Sequence, residues 1–343
     1  MKMNSKTAKD ILKTLITFLL GIGILWVLYR KTDFNELWEI IKGVNFKIIA
    51  GSLIFGLIGN VLRGLRWGLF MNAFNYHPKR QSVVFATLGN YAVNYLLPRA
   101  GDFWRCGAVS KFDKIPFAKT FETFLVDKVL DLVMSIIILV LSIVLSFDFF
   151  ISYFKDTPQY TENIENMLSS VWLYIIVGII ILAFVLLFTT FKHTIFVRKI
   201  QSFFTEIKRD LNLVAHMKNK RKIILYTILL WLCFYLYFYI CFFAFDFTNN
   251  LGWVAGLIVF AMSNVGVAVP VQGGMGAWHF MVISSLIILG VSNANASAFA
   301  FAVFAIQSIW TILYGLFGVI AMPYVKRNNV KTETTEESIK TTE

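Results

Sequence analysis

The stretch Leu88–Lys111, LGNYAVNYLLPRAGDFWRCGAVSK, follows an apolar region and is therefore expected to lie at membrane depth. It nevertheless carries amide, charged and helix-breaking residues: Asn90, Asn94, Pro98, Arg99, Gly101, Asp102 and Arg105. Irregular, charged backbone is tolerated inside a bilayer only where it is buried in protein or lines a wet cavity. The stretch therefore predicts a broken helix inside the protein and not a lipid-facing span.

A second stretch interrupts another apolar region in the same way. Met262–Phe280 reads MSNVGVAVPVQGGMGAWHF. Both stretches contain Pro-x-x-Gly, with an Asn shortly before it and a Trp shortly after it. The breaks fall at Pro98 and Gly101 in the first stretch, and at Pro270, Gly273, Gly274 and Gly276 in the second. Two broken segments in corresponding places of two halves are typical of a transporter-type site.

The composition excludes an ordinary soluble domain. Hydrophobic residues make up 57% of the chain, aromatic residues 16%, and the mean hydropathy is +0.68, which is typical of a polytopic membrane protein. The three cysteines lie in apolar segments and form no disulfide framework. The sequence shows no metal-ligand spacing and no nucleotide-binding loop, so we expect neither a metal nor a cofactor. The N-terminal apolar run has no cleavage site and is interpreted as a retained first helix.

Six apolar segments are long enough to cross a hydrocarbon core of about 30 Å. They are residues 11–29, 47–71, 119–147, 169–191, 222–246 and 296–323. The broken stretches 81–110 and 252–290 are each too long for one span and too interrupted for two, which favours re-entrant hairpins. The amphipathic connectors 34–44 and 196–214 are predicted to be helices lying in the interface.

Loop charges predict the orientation. Segments that face the cytoplasm when the N-terminus is inside carry 21 of the 32 basic residues, and outer segments carry 5. The positive-inside rule then gives a multi-pass protein of the cell (inner) membrane with both termini inside. The net charge of +12 therefore reflects topology and some affinity for anionic lipid, and no nucleic-acid partner is expected.

The predicted fold class is an all-α polytopic membrane protein. About six full transmembrane helices and two re-entrant hairpins form an inverted repeat, because the second hairpin is entered from the opposite side. One transmembrane domain covers residues 1–325, with halves at about 1–150 and 165–325. The polar tail 326–343 is predicted to be disordered in the cytoplasm.

Charged residues remain inside the predicted membrane region. They are Arg63, Arg66, Arg99, Arg105 and Lys128, against Asp102, Asp127 and Asp131, a surplus of two positive charges. Each charge at mid-bilayer costs about 2.5–3.5 kcal/mol, and total stability is of order 5–15 kcal/mol. The charges must therefore pair, meet water or meet a ligand.

Helical spacing favours convergence on an anion. Arg63 and Arg66 share one helix face, as do Asp127 and Asp131. Half-helices that begin at the breaks would point their positive dipole ends into the protein. Arginine can bind phosphate through two parallel hydrogen bonds, and lipids supply phosphate. The predicted headgroup-binding residues are Arg63, Arg66, Asn94, Arg99, Asp102, Arg105, Asp127, Lys128, Asp131, Gln272 and His279.

The sequence leaves structural roles open for the same residues. Arg63 and Arg66 could snorkel to the interface, and Asp127, Lys128 and Asp131 could form a structural ion network. Asp102 fits a helix cap, the glycines fit turn and packing roles, and His279 fits a core histidine. Gln272 and Asn264 could simply satisfy freed backbone groups.

At these residues the chain resembles the transmembrane-region family of lysylphosphatidylglycerol synthases, also called flippase-like membrane proteins. The family's elements are matched in order by Arg63, Arg66 and Trp67; by Asn94, Pro98, Gly101, Asp102 and Arg105; by Asp127, Lys128 and Asp131; and by Pro270, Gly273, Gly274 and Gly276. The third element is usually Glu-Arg-x-x-Asp. In the fourth, His279 replaces the expected acid, which puts a proton-coupled role for that position in doubt.

The resemblance implies a lipid flippase or transporter whose partner is a phospholipid or a polyisoprenyl-phosphate lipid in the membrane. The chain ends at Glu343 without the soluble aminoacyl-transfer domain of full synthases, so aminoacylation of lipid is not expected. The alternatives are a membrane enzyme or an accessory subunit of envelope lipid or glycan synthesis. No nucleophile–base pair supports the enzyme, and we predict no catalytic residue. A homo-oligomer and an envelope-synthesis partner both remain open.

Overall fold

The computed structural model describes residues 19, 21–30, 33–97, 99–146, 205, 209, 212, 214–269 and 271–325. Within these residues every regular element is helical. A helical segment covers residues 21–29. The helices that follow are α1 (Phe34–Lys42), α2 (Phe46–Ala73), α3 (Arg80–Leu96), α4 (Ala100–Asp113), α5 (Phe117–Leu145), α6 (Lys220–Tyr239), α7 (Gly252–Ala268), α8 (Ala277–Ile288) and α9 (Asn293–Ala321).

Four helices are long and apolar enough to cross a membrane. They are α2, α5, α6 extended by a 3₁₀ turn to Ala244, and α9 extended to Tyr324, with mean hydropathies of 1.8 to 2.6. The predicted spans 47–71, 119–147, 222–246 and 296–323 are thereby confirmed as long apolar helices. Of the predicted span 11–29, residues 21–29 are helical. The predicted span 169–191 and the tail 326–343 lie outside the described residues.

The first broken stretch forms an antiparallel helical hairpin of α3 and α4. At the tip, the Gly101 N–H donates to Asn94 Oδ1 at 2.9 Å. A Cβ on Gly101 would lie 2.1 Å from the Asn90 carbonyl oxygen, so only glycine permits this approach. At the open end, the Lys79 N–H donates to Asp113 Oδ1 at 3.3 Å. Helices of 17 and 14 residues reach roughly 26 and 21 Å, which is short of a full hydrocarbon core.

The second broken stretch also doubles back, through α7 and α8. The chain turns at Gly273, Gly274 and Gly276, whose φ angles are 61°, 77° and 81°. These left-handed values carry a steric cost for residues with a Cβ, and glycine adopts them freely. These glycines therefore have the turn role that the sequence analysis considered for them. Pro98 and Pro270, expected to mark the two breaks, lie outside the described residues.

The helices of both hairpins pack on the long apolar helices. Helix α2 packs on α6, and α3 packs on both α2 and α9. Helix α7 packs on α6 and α5, α4 contacts α5, and α8 contacts α9. The two hairpin turns meet where Gly273 lies against the Tyr95 ring.

The N-terminal segment and α1 close one side of the bundle. The Tyr29 hydroxyl donates to the Ser297 carbonyl at 3.1 Å, and Gly276 lies against Ile24. Helix α1 packs on α9 with Leu37 buried and Trp38 exposed, which agrees with the amphipathic pattern predicted for residues 34–44. Most of the connector 196–214 lies outside the described residues.

Candidate functional site

Three helices bring five charged side chains together in the interior. We call Arg63 and Arg66 of α2, Arg105 of α4, and Asp127 and Asp131 of α5 the arginine–aspartate cluster. The three-residue and four-residue spacings on α2 and α5 place the pairs on facing helix surfaces. The convergence expected from the spacing is therefore present for these five residues.

Arg66 forms the centre of the cluster and is completely buried. Its Nη2 lies 2.7 Å from Asp127 Oδ1 and 2.7 Å from Asp131 Oδ1. Its Nε also donates to Asp127 Oδ1 at 2.9 Å, and Nη1 donates to Thr227 Oγ1 at 3.3 Å. A guanidinium held by two carboxylates does not reach the interface, so Arg66 does not snorkel.

Arg105 reaches the same carboxylate from the first hairpin. Its Nη2 lies 3.4 Å from Asp127 Oδ2, and its side chain is 1% exposed. The guanidinium carbon lies 4.1 Å from the Trp67 ring centroid and 5.5 Å from that of Phe124. These aromatic faces offer cation–π stabilisation, whereas Arg105 Nε has no hydrogen-bond partner.

Arg63 and Asp131 form the accessible edge of the cluster. Arg63 Nη2 lies 3.0 Å from Asp131 Oδ2, and the side chains are 17% and 16% exposed. Arg63 also donates to the Tyr91 hydroxyl and lies 4.8 Å from the Phe234 ring centroid. Its buried Nε has no hydrogen-bond partner.

The cluster is unbalanced in charge. Three guanidinium groups face two carboxylates, which leaves one formal positive charge. Buried ion pairs offset their desolvation cost only when the remaining polar atoms are also satisfied. The Nε atoms of Arg63 and Arg105 have no hydrogen-bond partner, so the polar atoms of the cluster are not all satisfied. The cluster therefore retains one formal positive charge and two buried guanidinium N–H groups without a hydrogen-bond partner.

Lys128 and Asp102 form a separate, looser pair. Lys128 Nζ lies 3.7 Å from Asp102 Oδ1, and the side chains are 48% and 25% exposed. Asp102 sits in the first turn of α4, where a negative charge favours the helix dipole. The N-cap residue Arg99 makes no side-chain capping hydrogen bond, and the Gly101 N–H of the first turn donates to Asn94 Oδ1. Asp102 therefore supports α4 by its charge and not as a hydrogen-bonding cap.

Arg99 does not join the cluster. It precedes α4 in a left-handed conformation, with φ 64° and ψ −6°, and its side chain is exposed. No ion pair links Arg99 to another residue in the part of the chain that the structure describes. The hairpin position predicted for Arg99 is present, but its exposed side chain is not part of the cluster.

The backbone at Arg99 gives a stability prediction. A left-handed conformation costs an L-residue roughly 1–2 kcal/mol, and glycine avoids that cost. Arg99→Gly is therefore expected to be more stable than Arg99→Ala by about 1 kcal/mol, although both variants lose the charge. Thermal unfolding in detergent, followed by tryptophan fluorescence, would measure the difference. Equal melting temperatures would show that the turn does not strain this residue.

The other predicted residues have separate places. Asn94 holds the tip of the first hairpin, and Asn264 Nδ2 donates to the Phe260 carbonyl at 2.8 Å. His279 is buried on α8, 4.4 Å from the Phe304 ring centroid, and its Nδ1 has no partner. The side chain of Gln272 lies outside the described residues.

Several polar contacts near the cluster were not predicted. Tyr91 binds Arg63, and Asn60 Nδ2 donates to the Tyr314 hydroxyl at 3.0 Å. Tyr95 donates to Ser308 Oγ at 3.0 Å. Tyr91 and Tyr95 are four residues apart on α3, and this spacing was the available signal. Among the described residues, no group of three or more His, Cys, Asp or Glu side chains could hold a metal.

The comparison with known proteins identifies the family. The family model described as lysylphosphatidylglycerol synthase TM region matches residues 12–315. No curated protein and no solved structure gives a significant match. The matched range includes every helix of the cluster and both hairpins. The chain therefore belongs to the lysylphosphatidylglycerol synthase TM region family.

Proposed function

We propose that this membrane protein binds the phosphate of an anionic lipid at the arginine–aspartate cluster and moves that lipid between leaflets. The observation that carries the proposal is the positive surplus of a buried cluster with an accessible edge at Arg63 and Asp131. A phospholipid and a polyisoprenyl-phosphate lipid share the phosphate chemistry that this edge would recognise.

The contacts at the edge suggest how phosphate enters. Asp131 uses Oδ2 for Arg63 and Oδ1 for Arg66. A phosphate oxygen can replace Oδ2 on Arg63, while Asp131 keeps its contact with Arg66. The free Nε of Arg63 then supplies the second hydrogen bond of a bidentate contact. Binding would therefore exchange one ion pair for another without leaving a carboxylate unpaired.

The helix packing supports a two-sided architecture for this transport. The contacts of α3 with α2 and α9 have counterparts in the contacts of α7 with α6 and α5. A two-fold axis in the membrane plane, passing near the α2–α6 contact, would generate these pairs. The two hairpins would then be re-entrant from opposite sides, as in inverted-repeat transporters. Loop charges favour both termini in the cytoplasm.

Arg63→Gln tests the proposal at its accessible edge. We expect the rate of transbilayer movement of fluorescent phosphatidylglycerol, in vesicles containing the purified protein, to fall at least about tenfold. That fold-change corresponds to about 1.4 kcal/mol, close to the lower end of the roughly 1.5–3 kcal/mol that a hydrogen bond to a charged group contributes. Dithionite bleaching of the outer leaflet measures the rate. Arg63→Lys should recover only part of it, because lysine lacks the planar fork.

Lys119→Gln is the matched control, because Lys119 is exposed and pairs only with Glu122 among the described residues. It should leave the rate unchanged. Wild-type protein that moves no phosphate-bearing lipid would overturn the proposal. Mass spectrometry of the vesicle lipids tests the enzyme alternative, because a new lipid product would favour an enzyme over a transporter.

A further inference from the structure

A cavity lies apart from the arginine–aspartate cluster. It has a volume of about 680 Å³, is open on one side, and is bordered by the N-terminal helical segment, α8 and α9. Its walls are formed mainly by apolar and aromatic side chains, including Trp26, Phe301, Phe304 and Ile309. Sites for small ligands are typically about 300–1,000 Å³ and mostly apolar. The cavity is thus large enough for a lipid chain.

Two polar residues border the cavity, whose accessible surface is otherwise apolar. His279 lines it, is only 3% exposed, and has an Nδ1 without a hydrogen-bond partner. A buried polar atom left unpaired costs about 1–3 kcal/mol, so a ligand that supplies a partner is favoured. Arg30 also lines the cavity, is exposed, and lies 5.5 Å from the Trp26 ring centroid.

These features fit one kind of occupant. The apolar walls suit a hydrocarbon chain, His279 suits a polar group such as an ester carbonyl, and Arg30 suits a phosphate. An anionic phospholipid carries the three groups in that order. We propose that this cavity binds one acyl chain of an anionic phospholipid, with its phosphate at Arg30.

Polar residues of α3 and α9 lie between the cavity and the cluster. Ser308 lines the cavity and accepts a hydrogen bond from Tyr95 at 3.0 Å. Tyr95 lies one helical turn, roughly 6 Å, from Tyr91, which binds Arg63. The cavity would therefore be a second binding site for the lipid that the cluster would bind. In this respect the inference rests on the proposed function, although binding in the cavity can be measured without transport.

Photocrosslinking tests the cavity directly. The probe is phosphatidylglycerol with a diazirine near the end of one acyl chain, added to the full-length protein in detergent. We expect adducts on the segments 22–30 and 301–309, competed by unlabelled phosphatidylglycerol more strongly than by phosphatidylcholine. Arg30→Gln should abolish that headgroup preference. Adducts spread equally over the lipid-facing residues of α5, such as Ile136 and Val140, would mean annular lipid only and overturn the inference.

A filled cavity provides the matched comparison. Ala305→Trp places an indole in the cavity and should cause loss of these adducts. Leu313→Trp puts the same side chain on an exposed position of α9 outside the cavity lining and should preserve them. Retained adducts in Ala305→Trp would overturn the cavity site. Specific adducts in a protein that moves no lipid would instead overturn the proposed transport and leave the cavity site standing.

Discussion

Asp127→Asn is expected to lower the free energy of unfolding by about 3–5 kcal/mol, because breaking a buried ion pair leaves charge uncompensated. Asp127 contacts both Arg66 and Arg105, and its side chain is 1% exposed. The substitution keeps the shape of the side chain but raises the formal surplus of the cluster from one positive charge to two. Denaturant titration in detergent, followed by tryptophan fluorescence, measures the loss.

A second substitution separates charge from packing. Arg105→Gln, combined with Asp127→Asn, returns the formal surplus to one and should recover part of the lost stability. Glu122→Gln removes a carboxylate from the exposed surface of the same helix and should give no measurable change. A double variant as unstable as Asp127→Asn alone would show that charge balance is not what holds the cluster together.

Gly101→Ala is expected to cost about 3 kcal/mol, at the upper end of what overpacking usually costs. The new Cβ would lie 2.1 Å from the Asn90 carbonyl oxygen and 2.7 Å from Asn90 Oδ1. Because the first of these atoms is backbone, a rotamer change cannot relieve the clash, and the two helices of the hairpin must separate. Thermal unfolding in detergent measures this cost, and the vesicle assay should show loss of transport.

Gly107→Ala is the natural control, because it lies on the same helix and a Cβ there meets nothing within 4 Å. Alanine is favoured over glycine inside a helix by roughly 0.5–1 kcal/mol, so this variant should be neutral or slightly more stable. Equal losses of stability in Gly101→Ala and Gly107→Ala would show that the close approach of Gly101 to Asn90 is unimportant.

The parts of the fold that follow from local chemistry were predictable from the sequence. Proline and glycine inside apolar segments indicated where the hairpins turn, and long apolar runs indicated the four observed spans. The sequence also predicted that buried arginine and aspartate side chains such as Arg66 and Asp127 pair, because buried charges need partners and helical spacing limits which helix faces carry them.

The parts that depend on side-chain direction were not predictable. Arg99 belongs to the broken stretch, but its backbone is left-handed and its side chain is exposed, and no periodic pattern in the sequence indicates that conformation. Arg105 was predicted to bind a headgroup, but its burial against Trp67 could not be predicted, because that aromatic face is supplied by another helix. The hydrogen bond from Arg63 to Tyr91 likewise depends on how α2 and α3 pack against each other.

The bond between Tyr29 and Ser297 joins residues 268 positions apart. During synthesis, the N-terminal segment is made long before its partner on α9 exists. Membrane helices insert individually before they associate, so this early segment must wait, with Tyr29 unpaired, until almost the whole chain has left the ribosome. Chains shortened before residue 297 are accordingly expected to be poor assembly products, selectively removed by membrane quality control.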